Sequence, residues 1–299
     1  MKYTLNQLNV FLKVVEHESV TKAAAELYMT QPAVSIQLRN FQDQFDIPLT
    51  EVIKKRLYIT DFGKEIALIA ERILNEVESI NYKTQAYKGI MTGKLRISSV
   101  STGKYVMPYF LSGFAEIHEG VDLSLDVTNK QKVIRSLVDN EIDFALVSVL
   151  PESLQIEEEL LMENKLYMIG GRENQVESSN LIFREQGSAT RAAMEDYLTK
   201  MGIPTKKRIE LTSNEAVKQA VVAGLGRSIM PLIGLRNELL NGDIRIIESN
   251  DLPIVTKWRF IWLKQKTLSP VALAFLDYIR QHKKDILDTK FHWYERYLN

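Results

Sequence analysis

The chain has 299 residues, a formal net charge of zero, 45% hydrophobic and 25% charged residues, and no cysteine. The lack of cysteine excludes disulfides and thiolate chemistry, and no apolar run reaches the ~18 residues of a membrane span. The N-terminal segment has no apolar core of signal-peptide length, so we expect a cytoplasmic protein of two or three domains. The net charge of zero gives no indication of a nucleic-acid partner. Evidence for nucleic-acid binding must therefore come from the positions of the charged residues.

Three short helices are predicted near the N-terminus. The stretch TLNQ at 4–7 has the form of a capping box, and apolar residues follow it at helical spacing. Ser19 is expected to cap a second helix and Thr30 a third. Pro32 is tolerated in the third helix because the N–H groups of a first turn have no helical partner to lose. Two short helices joined by a tight turn indicate a helix-turn-helix unit.

The third helix has an unusual solvent face. Val34, Leu38 and Phe41 share one side of the helix, which we expect to be buried. An ordinary surface helix would fill the other side with Glu and Lys. Here that side carries amide, hydroxyl, methyl and guanidinium groups from Gln31, Pro32, Ser35, Ile36, Arg39 and Asn40.

A hairpin and one long helix are predicted next. KKRLYIT at 54–60 combines a basic tip with alternating residues, which is typical of a hairpin arm. The helix that follows, to about residue 88, has a repeat of about 3.5 residues, which indicates a coiled-coil seam between two chains of a homodimer. The alternative is one amphipathic helix packed on its own domain. The seam positions are Ile66, Ala70, Ile73, Val77, Ile80, Thr84 and Tyr87.

From residue 94 onward strands and helices alternate, which predicts parallel sheets with helices on both faces. GIMTG at 89–93 is expected to end the long helix as a hinge, and the nine strand candidates suit two small α/β lobes. We expect one crossing between lobes near Pro151 and a return between 247 and 266. The strand candidates are 94–100, 121–128, 142–149, 165–170, 180–183, 207–212, 227–230, 244–248 and 257–263. The helix candidates are 104–118, 130–140, 188–201, 213–224, 231–241 and 269–284.

The sequence offers no constellation for catalysis or metal binding. Its four histidines are scattered without a second ligand at helical or hairpin spacing, and no Gly-x-Ser-x-Gly elbow occurs. GIMTGKL and SSVSTGKY lack the spacing of a phosphate loop, and GLGRSIM lacks the third glycine of a dinucleotide fingerprint. We therefore predict no enzyme, no metal and no cofactor.

Two loops are candidates for anion binding. SSVSTGK at 98–104 lies where a strand ends and a helix begins, so backbone N–H groups and small hydroxyls can hold an anion there. EQGSATR at 185–191 offers a similar place in the second lobe, across a cleft. For SSVSTGK, an ordinary cluster of helix-capping residues is the alternative.

The order of these parts resembles the LysR-type transcriptional regulators over nearly the whole chain. SVTKAAAELYMTQPAVSIQLRNFQDQF is similar to the helix-turn-helix signature of that family, and LYITDFGKEI to its wing and linker-helix entry. FALVS and VVAGLGRSIMP resemble two stretches of its effector-binding part. VSTGKYVMPYF with DVTNK is nearest to members that control carbon-fixation operons. The resemblance implies an α/β protein with a winged helix-turn-helix, a dimerising linker helix and two Rossmann-like lobes of periplasmic-binding-protein type, assembled as tetramers.

The resemblance places the unusual face of the third helix in the major groove of double-stranded DNA. Glutamine and serine can bond base edges there, and isoleucine can pack on a thymine methyl. Arg39 and the basic wing are placed for phosphates, which fix the register. The candidate DNA-binding residues are Thr30, Gln31, Pro32, Ser35, Ile36, Arg39, Lys54, Lys55 and Arg56.

Three features depart from the family pattern. DIPLTEV at 46–52 stands where Gly-x-x-Leu-Phe-x-Arg is common, and Ile36 stands where relatives often have arginine. Residues 288–299 extend past the point where many members stop. The turn before the wing is therefore expected to differ from that of the family.

The predicted domains are a DNA-binding domain at 1–60, a linker helix at 61–90 and an effector-binding domain at 91–299. Within the last, lobe 1 comprises about 91–163 and 265–299, and lobe 2 about 164–264. The effector is expected to be a small polar or anionic metabolite, because its candidate contacts are small hydroxyls, free N–H groups and one lysine. These candidates are Ser99, Ser101, Thr102, Lys104, Thr128, Asn129, Ser148, Ser188 and Thr190.

The predicted function is an effector-responsive, DNA-binding transcriptional regulator that recognises an inverted-repeat operator. RNA polymerase is a further candidate partner, and no membrane association is expected. A two-lobed small-molecule-binding protein without a DNA function is the alternative, and an α/β enzyme is a second one that lacks a catalytic constellation.

Overall fold

The computed structural model describes residues 3–54, 56–87, 91–172, 180–204 and 207–297, and at positions 82, 83 and 85–87 it describes the backbone alone. The chain forms two compact units, Met1–Ile90 and Met91–Asn299. Each unit has its own hydrophobic core.

The first unit begins with the three predicted helices, α1 (Leu5–His17), α2 (Val20–Glu26) and α3 (Gln31–Gln42). The capping box of α1 is formed, since the Gln7 N–H donates to Thr4 Oγ1 over 3.2 Å and the Thr4 N–H to Gln7 Oε1 over 2.9 Å. Ser19 caps α2 through the Lys22 N–H at 3.3 Å. These hydrogen bonds confirm both predicted caps. The sequence alone can predict such caps because each bond joins residues three positions apart.

The wing is a two-stranded antiparallel hairpin, β1 (Thr50–Ile53) and β2 (Arg56–Ile59), with Ile53 opposite Arg56. The long helix α4 (Asp61–Tyr87) follows it directly. Gly63 in the first turn of α4 allows the helix to approach the wing, because a Cβ there would lie 2.1 Å from the Leu49 carbonyl oxygen. Only glycine fits this contact.

The predicted seam of α4 divides into two parts. Ala70 is buried and Ile66 and Ile73 are partly buried against the core of the first unit, so the alternative of a helix packed on its own domain applies to this half. Ile80 is 63% exposed, and Thr84 is also exposed. The side chain of Tyr87 lies outside the described residues. The homodimer prediction therefore now concerns the C-terminal half of α4.

The second unit contains one mixed sheet. Its strands follow the order β4-β3-β5-β11-β6-β9-β7-β8, and β10 pairs with β6. β3 is parallel to β4 and β5 in the first lobe, and β7 is parallel to β8 and β9 in the second. The strands are β3 (Gly93–Val100), β4 (Val121–Thr128), β5 (Phe144–Val147), β6 (Ile156–Gly171), β7 (Asn180–Arg184), β8 (Arg208–Leu211), β9 (Gly226–Pro231), β10 (Ile244–Ile246) and β11 (Ile254–Leu263).

Two long strands, β6 and β11, run antiparallel through both lobes and join them. The parallel arrangement predicted from the sequence therefore holds within each lobe and is wrong for these two strands. The predicted division placed all of β11 in lobe 2, whereas Arg259–Ile261 pairs with β5 of the first lobe. A bulge interrupts the β6–β11 ladder between Trp258 and Arg259.

The sequence prediction also shortened β6 to 165–170. The missed part carries a run of acidic residues that conceals the alternation of a strand. Each of two glutamates there has a basic partner: Glu158 pairs with Arg259 at 3.1 Å, and Glu159 pairs with Lys283 at 2.6 Å. These partners are more than 100 residues away in the chain, so no local pattern indicates them.

The helices of the second unit cover the sheet at the predicted places, with different ends. The predicted helix 104–118 begins instead with the 3-10 turn Ser101–Tyr105, and the predicted helix 231–241 begins with the 3-10 turn Leu232–Gly234. The last helix continues to Lys290, and a final 3-10 turn covers His292–Tyr297. The α-helices are α5 (Met107–Ile117), α6 (Lys130–Val138), α7 (Ala189–Lys200), α8 (Asn214–Val222), α9 (Arg236–Asn241) and α10 (Pro270–Lys290).

Candidate DNA-binding face and effector cleft

Helix α3 buries the face that the sequence predicts. Val34 and Phe41 are fully buried and Leu38 is nearly so, in the core shared with α1. The Thr30 hydroxyl accepts from the Ala33 N–H at 3.4 Å, which fixes the start of the helix. The orientation of α3 is therefore set by its apolar side.

The opposite face of α3 is available to solvent. Gln31, Pro32 and Arg39 are exposed, Ser35 is half-buried, and Ile36 is 54% exposed. The Gln31 amide donates to Ser35 Oγ over 3.4 Å. Two hydrogen-bonding side chains from successive turns of the helix are therefore in contact on this face. The helix carries no acidic residue. A phosphate backbone would meet no charge repulsion from this face.

The wing places positive charge at its tip. Lys54 and Arg56 are exposed, and Lys54 adopts a left-handed conformation (φ 50°) where the hairpin turns. The predicted contact Lys55 lies outside the described residues. Sequence reasoning missed the neighbouring apolar positions Val52 and Ile53, which are 72% and 50% exposed.

Sequence reasoning also missed Tyr28, in the turn before α3. This side chain is 98% exposed, and its backbone is left-handed with φ 53°. A left-handed conformation is costly for a residue other than glycine or asparagine, and this tyrosine gains no packing in return. Tyr28 is thus a large exposed aromatic side chain in a strained turn, directly before α3.

Most predicted effector residues line two adjoining cavities in the second unit. The larger has a volume of about 810 Å³ and includes Thr102, Ser148, Ser188 and Thr190 in its walls. The smaller, of about 30 Å³, shares those four residues. Its walls also include Ser101, Thr128 and Asn129. Residues from both lobes thus meet in one cleft, which we call the effector cleft.

Two predicted effector residues lie elsewhere. Ser99 is fully buried, its hydroxyl donates to the Val100 carbonyl at 3.0 Å, and Gly103 packs directly over it. Lys104 lines a different cavity. The 3-10 turn causes this difference, because it carries the chain away from the cleft after Thr102.

The cleft contains an arginine that sequence reasoning missed. Arg184 at the end of β7 is 5% exposed, and its Nη1 donates to Ser101 Oγ at 3.3 Å. Its Nε and Nη2 each donate to the Glu185 carboxylate at 2.7 Å. The position of Arg184 at the carboxyl end of an apolar parallel strand was the available signal, since ligands bind at that edge of a sheet.

Two asparagines have buried oxygens without a described partner. Asn214 donates to Ser101 Oγ at 2.9 Å, and Asn164 donates to Thr256 Oγ1 at 2.9 Å. The Oδ1 atom of each has no hydrogen-bond partner among the described residues. Asn164 lines the larger cavity, so a ligand donor group has an acceptor available there.

The helix starts around the cleft differ. At α6 the Asn129 side chain accepts from the Lys132 N–H at 3.0 Å, which makes it an ordinary cap. At α7 the Ser188 hydroxyl forms no capping bond. Because the first N–H groups of a helix lack internal partners, the start of α7 is the better anion site of the two.

One acidic cluster of the first unit, outside α3 and the wing, is paired with a lysine. Glu16, His17 and Glu26 lie close enough to offer ligand atoms to one metal ion. Lys13 pairs with Glu16 at 2.7 Å and with Glu26 at 2.5 Å, however, and these contacts raise the pKa of Lys13.

Among the helices that the structure describes, none combines the length and apolar character of a membrane span.

A winged helix-turn-helix together with a two-lobed α/β unit defines a ligand-responsive DNA-binding protein. Two family models match the chain: the bacterial regulatory helix-turn-helix protein, lysR family, over residues 5–64, and the LysR substrate binding domain over residues 88–284. The chain belongs to the LysR family of DNA-binding transcriptional regulators with an effector-binding domain.

Curated relatives support the predicted similarity to carbon-fixation regulators. The HTH-type transcriptional activator CmpR of Synechocystis is 33% identical over 95% of this chain and 97% of its own length. The RuBisCO operon transcriptional regulator of Allochromatium vinosum is 33% identical over 93% of this chain and 96% of its own.

Solved structures agree with the fold. The regulatory domain of Synechocystis CcmR in complex with 2-PG has a TM-score of 0.61 at 31% identity, covering 64% of this chain and 98% of that one. Full-length CbnR in complex with its target DNA has a TM-score of 0.68 at 20% identity, covering 93% and 99%.

Proposed function

We propose that this regulator binds an inverted-repeat operator as a homodimer and responds to a small anionic metabolite in the effector cleft. The observation that carries the effector part is Arg184, a buried cation beside Ser101 and the start of α7. The CcmR complex with 2-PG supports the same class of ligand for this chain. We place the protein in the cytoplasm and assign no catalytic role to any residue.

The proposed DNA contacts follow the exposed face of α3. Gln31, Ser35 and Ile36 supply base readout in the major groove, while Thr30 and Pro32 bring the helix start to the backbone. Arg39 and the wing residues Lys54, Lys55 and Arg56 bind phosphates. Tyr28 adds its hydroxyl to a phosphate or sugar beside the helix.

The proposed dimer pairs the C-terminal halves of two α4 helices within a linker at 61–90, between a DNA-binding domain at 1–60 and an effector domain at 91–299. Ile80 is the central residue because it is large, apolar and exposed. A two-fold dimer requires half-sites about one helical turn apart, or a multiple of it. Two dimers forming a tetramer and a contact with RNA polymerase complete the proposed assembly.

The proposed effector is an anion that both lobes contact. Ser101, Thr102 and Thr128 of the first lobe and Ser188 and Thr190 of the second provide hydroxyls around Arg184. A ligand held by both lobes stabilises the lobe arrangement that it fits, by no more than its difference in affinity for the two arrangements.

A mobility-shift assay with the chain's own upstream region tests the DNA part. We expect a shift at low salt that Ser35→Ala changes by about 1–3 kcal/mol at particular base pairs of operator variants. Ser79→Ala, which removes a half-buried hydroxyl of α4, is the control. The absence of any shift by the folded protein would leave the two-lobed binding protein as the better interpretation.

Titration calorimetry with 2-PG tests the effector part. We expect Arg184→Gln to weaken binding about 10–100-fold, because a charged hydrogen bond is lost. Arg172→Gln removes an exposed arginine outside both cleft cavities and should bind like the parent. Equal affinities of the parent and Arg184→Gln would place the ligand elsewhere.

A further inference from the structure

A second cavity, of about 260 Å³, lies in the same unit as the effector cleft and shares no lining residue with it. Its walls come from four parts of the chain. The 3-10 turn and the start of α5 contribute Lys104, Tyr105 and Tyr109, α8 contributes Lys218, α9 contributes Arg236, and the C-terminal segment contributes Lys290 and Trp293. We call it the C-terminal cavity.

Positive charge in this cavity exceeds negative charge. Lys218 in the wall is 7% exposed and donates to Glu238 at 2.7 Å and to Glu215 at 3.1 Å. Burial would lower the pKa of Lys218, but these two carboxylates outweigh burial and raise it, so the ammonium stays charged. Glu238 shares this lysine with Glu215, and the lining as a whole carries four cations, Lys104, Lys218, Arg236 and Lys290, against the one carboxylate of Glu238.

Three further cations in the walls lack such partners. Lys104, Arg236 and Lys290 form no ion pair with any residue that the structure describes. Like charges that converge on a cavity repel one another and raise the local concentration of anions. An anion that enters this cavity would meet three cations that no described carboxylate pairs with.

Aromatic rings stand beside the free cations. The Lys104 ammonium lies 5.0 Å from the centre of the Tyr105 ring, and the Arg236 guanidinium lies 5.7 Å from that of Trp293. Phe291 packs edge-on against Tyr109 at 5.3 Å. Alternating cations and rings suit a ligand that has a charged group next to a planar ring.

The C-terminal wall is held firmly in place. The Tyr294 hydroxyl accepts from the Lys165 N–H at 3.1 Å, and the Tyr167 hydroxyl donates to the Tyr297 carbonyl at 2.5 Å. Tyr294 is buried, which raises its pKa and keeps it protonated. The family model ends at residue 284, so Lys290, Phe291 and Trp293 lie beyond the part of the chain that it matches.

We propose that the C-terminal cavity is a second ligand site, which binds a compact organic anion that carries a planar ring, such as a nucleoside monophosphate. The phosphate would be bound by Lys104, Arg236 and Lys290, and the ring would lie against the aromatic wall. The volume favours a single small ligand, since it lies near the lower end of known ligand pockets, about 300 Å³. This site does not depend on the effector proposed for the cleft.

Titration calorimetry of the full chain with adenosine monophosphate, inorganic phosphate and adenosine tests this inference. We expect the monophosphate to bind about ten-fold more tightly than either part alone, because it uses both walls of the cavity. Lys290→Gln should weaken binding about five-fold and Arg236→Gln with Lys290→Gln about 10–100-fold. All these substitutions are at exposed positions, so the fold should be retained.

The matched control is Lys284→Gln, an exposed lysine on the same helix α10 that does not line the cavity. It should bind the monophosphate like the parent, and so should Arg184→Gln in the effector cleft. No saturable binding by the parent, or equal loss in Lys284→Gln and Lys290→Gln, would overturn the inference. Loss of monophosphate binding in Arg184→Gln alone would place this ligand in the cleft and overturn it as well.

Discussion

Arg184 and Glu185 are neighbours in the chain, and the guanidinium of Arg184 bonds the carboxylate of Glu185 through two nitrogens, Nε and Nη2, at 2.7 Å each. The remaining Nη1 reaches Ser101 in the other lobe. Glu185 thus supplies the counter-charge of a buried cation in the wall of the effector cleft. An anionic ligand must compete with this carboxylate for Arg184.

Removing that competitor should strengthen ligand binding. Glu185→Gln is expected to bind 2-PG ~3–10-fold more tightly, because a negative charge beside the ligand is lost. Glu152→Gln, which removes an exposed acid from the same unit outside the cleft, should bind like the parent. Calorimetric dissociation constants measure the difference, and weaker binding by Glu185→Gln would mean that the ligand needs Glu185 as a partner.

Arg39 should contribute to DNA affinity without contributing to sequence preference. Arg39→Ala is expected to weaken binding to all operator variants alike, and to reduce the slope of log K against log salt by about 0.9. Arg72→Ala removes an exposed charge from α4 and serves as the control. Fluorescence anisotropy over a salt series gives both slopes, and an unchanged slope for Arg39→Ala would exclude the phosphate contact.

Tyr28 should show a trade between stability and DNA binding. Asparagine tolerates the left-handed backbone better, so Tyr28→Asn should raise the free energy of unfolding by about 0.5–1 kcal/mol while weakening operator binding. Tyr28→Phe keeps the ring and isolates the hydroxyl. Urea denaturation and mobility shifts measure the two effects, and full operator affinity in Tyr28→Asn would show that this side chain does not touch DNA.

The exposed half of α4 should determine the oligomeric state. Ile80→Asp places a charge at the centre of the proposed dimer interface and should give a smaller particle in light scattering, together with weaker operator binding. Asn81→Asp adds the same charge at the next, also exposed, position and should leave the particle size unchanged. If Ile80→Asp keeps the size of the parent, the chains associate through another surface.

Glu159 should make the docking of α10 sensitive to pH. Burial raises the pKa of this carboxyl, but hydrogen bonds from Lys283 and Arg280 outweigh burial and hold the pKa below its ordinary value of 4.5. Because the pKa of Glu159 is lower in the folded than in the unfolded chain, its ionised carboxylate stabilises the fold above pH 4.5. This stabilisation is lost as the pH falls through the pKa that Glu159 has in the folded protein. Glu159→Gln should therefore lower the free energy of unfolding by about 1–2 kcal/mol at pH 7, and by progressively less toward pH 3.

The control for this pair is Glu157→Gln, an exposed glutamate on the same strand. Its unfolding free energy should follow that of the parent across the pH range. A difference between Glu159→Gln and the parent that stays constant from pH 7 to pH 3 would exclude the ion pair as its cause.

The parts of this molecule that sequence predicts are those set by local spacing. The caps at Thr4 and Ser19 and the buried side of α3 depend on residues within one or two helical turns. Arg184 was missed because its partner Ser101 lies 83 positions earlier in the chain. The prediction for Ser99 is wrong because the alternation of side chains along a strand does not show which of them a following 3-10 turn will bury.

The β6–β11 ladder has a mechanical consequence for the effector-binding unit. Both connections between the lobes belong to one hydrogen-bonded ribbon, so pulling the lobes apart would break ladder bonds. Twisting the ribbon preserves those bonds, and the bulge between Trp258 and Arg259 is where an antiparallel pair twists most readily. If the effector binds between the lobes as proposed, the ribbon would allow one lobe to rotate against the other more readily than it would allow the two to separate.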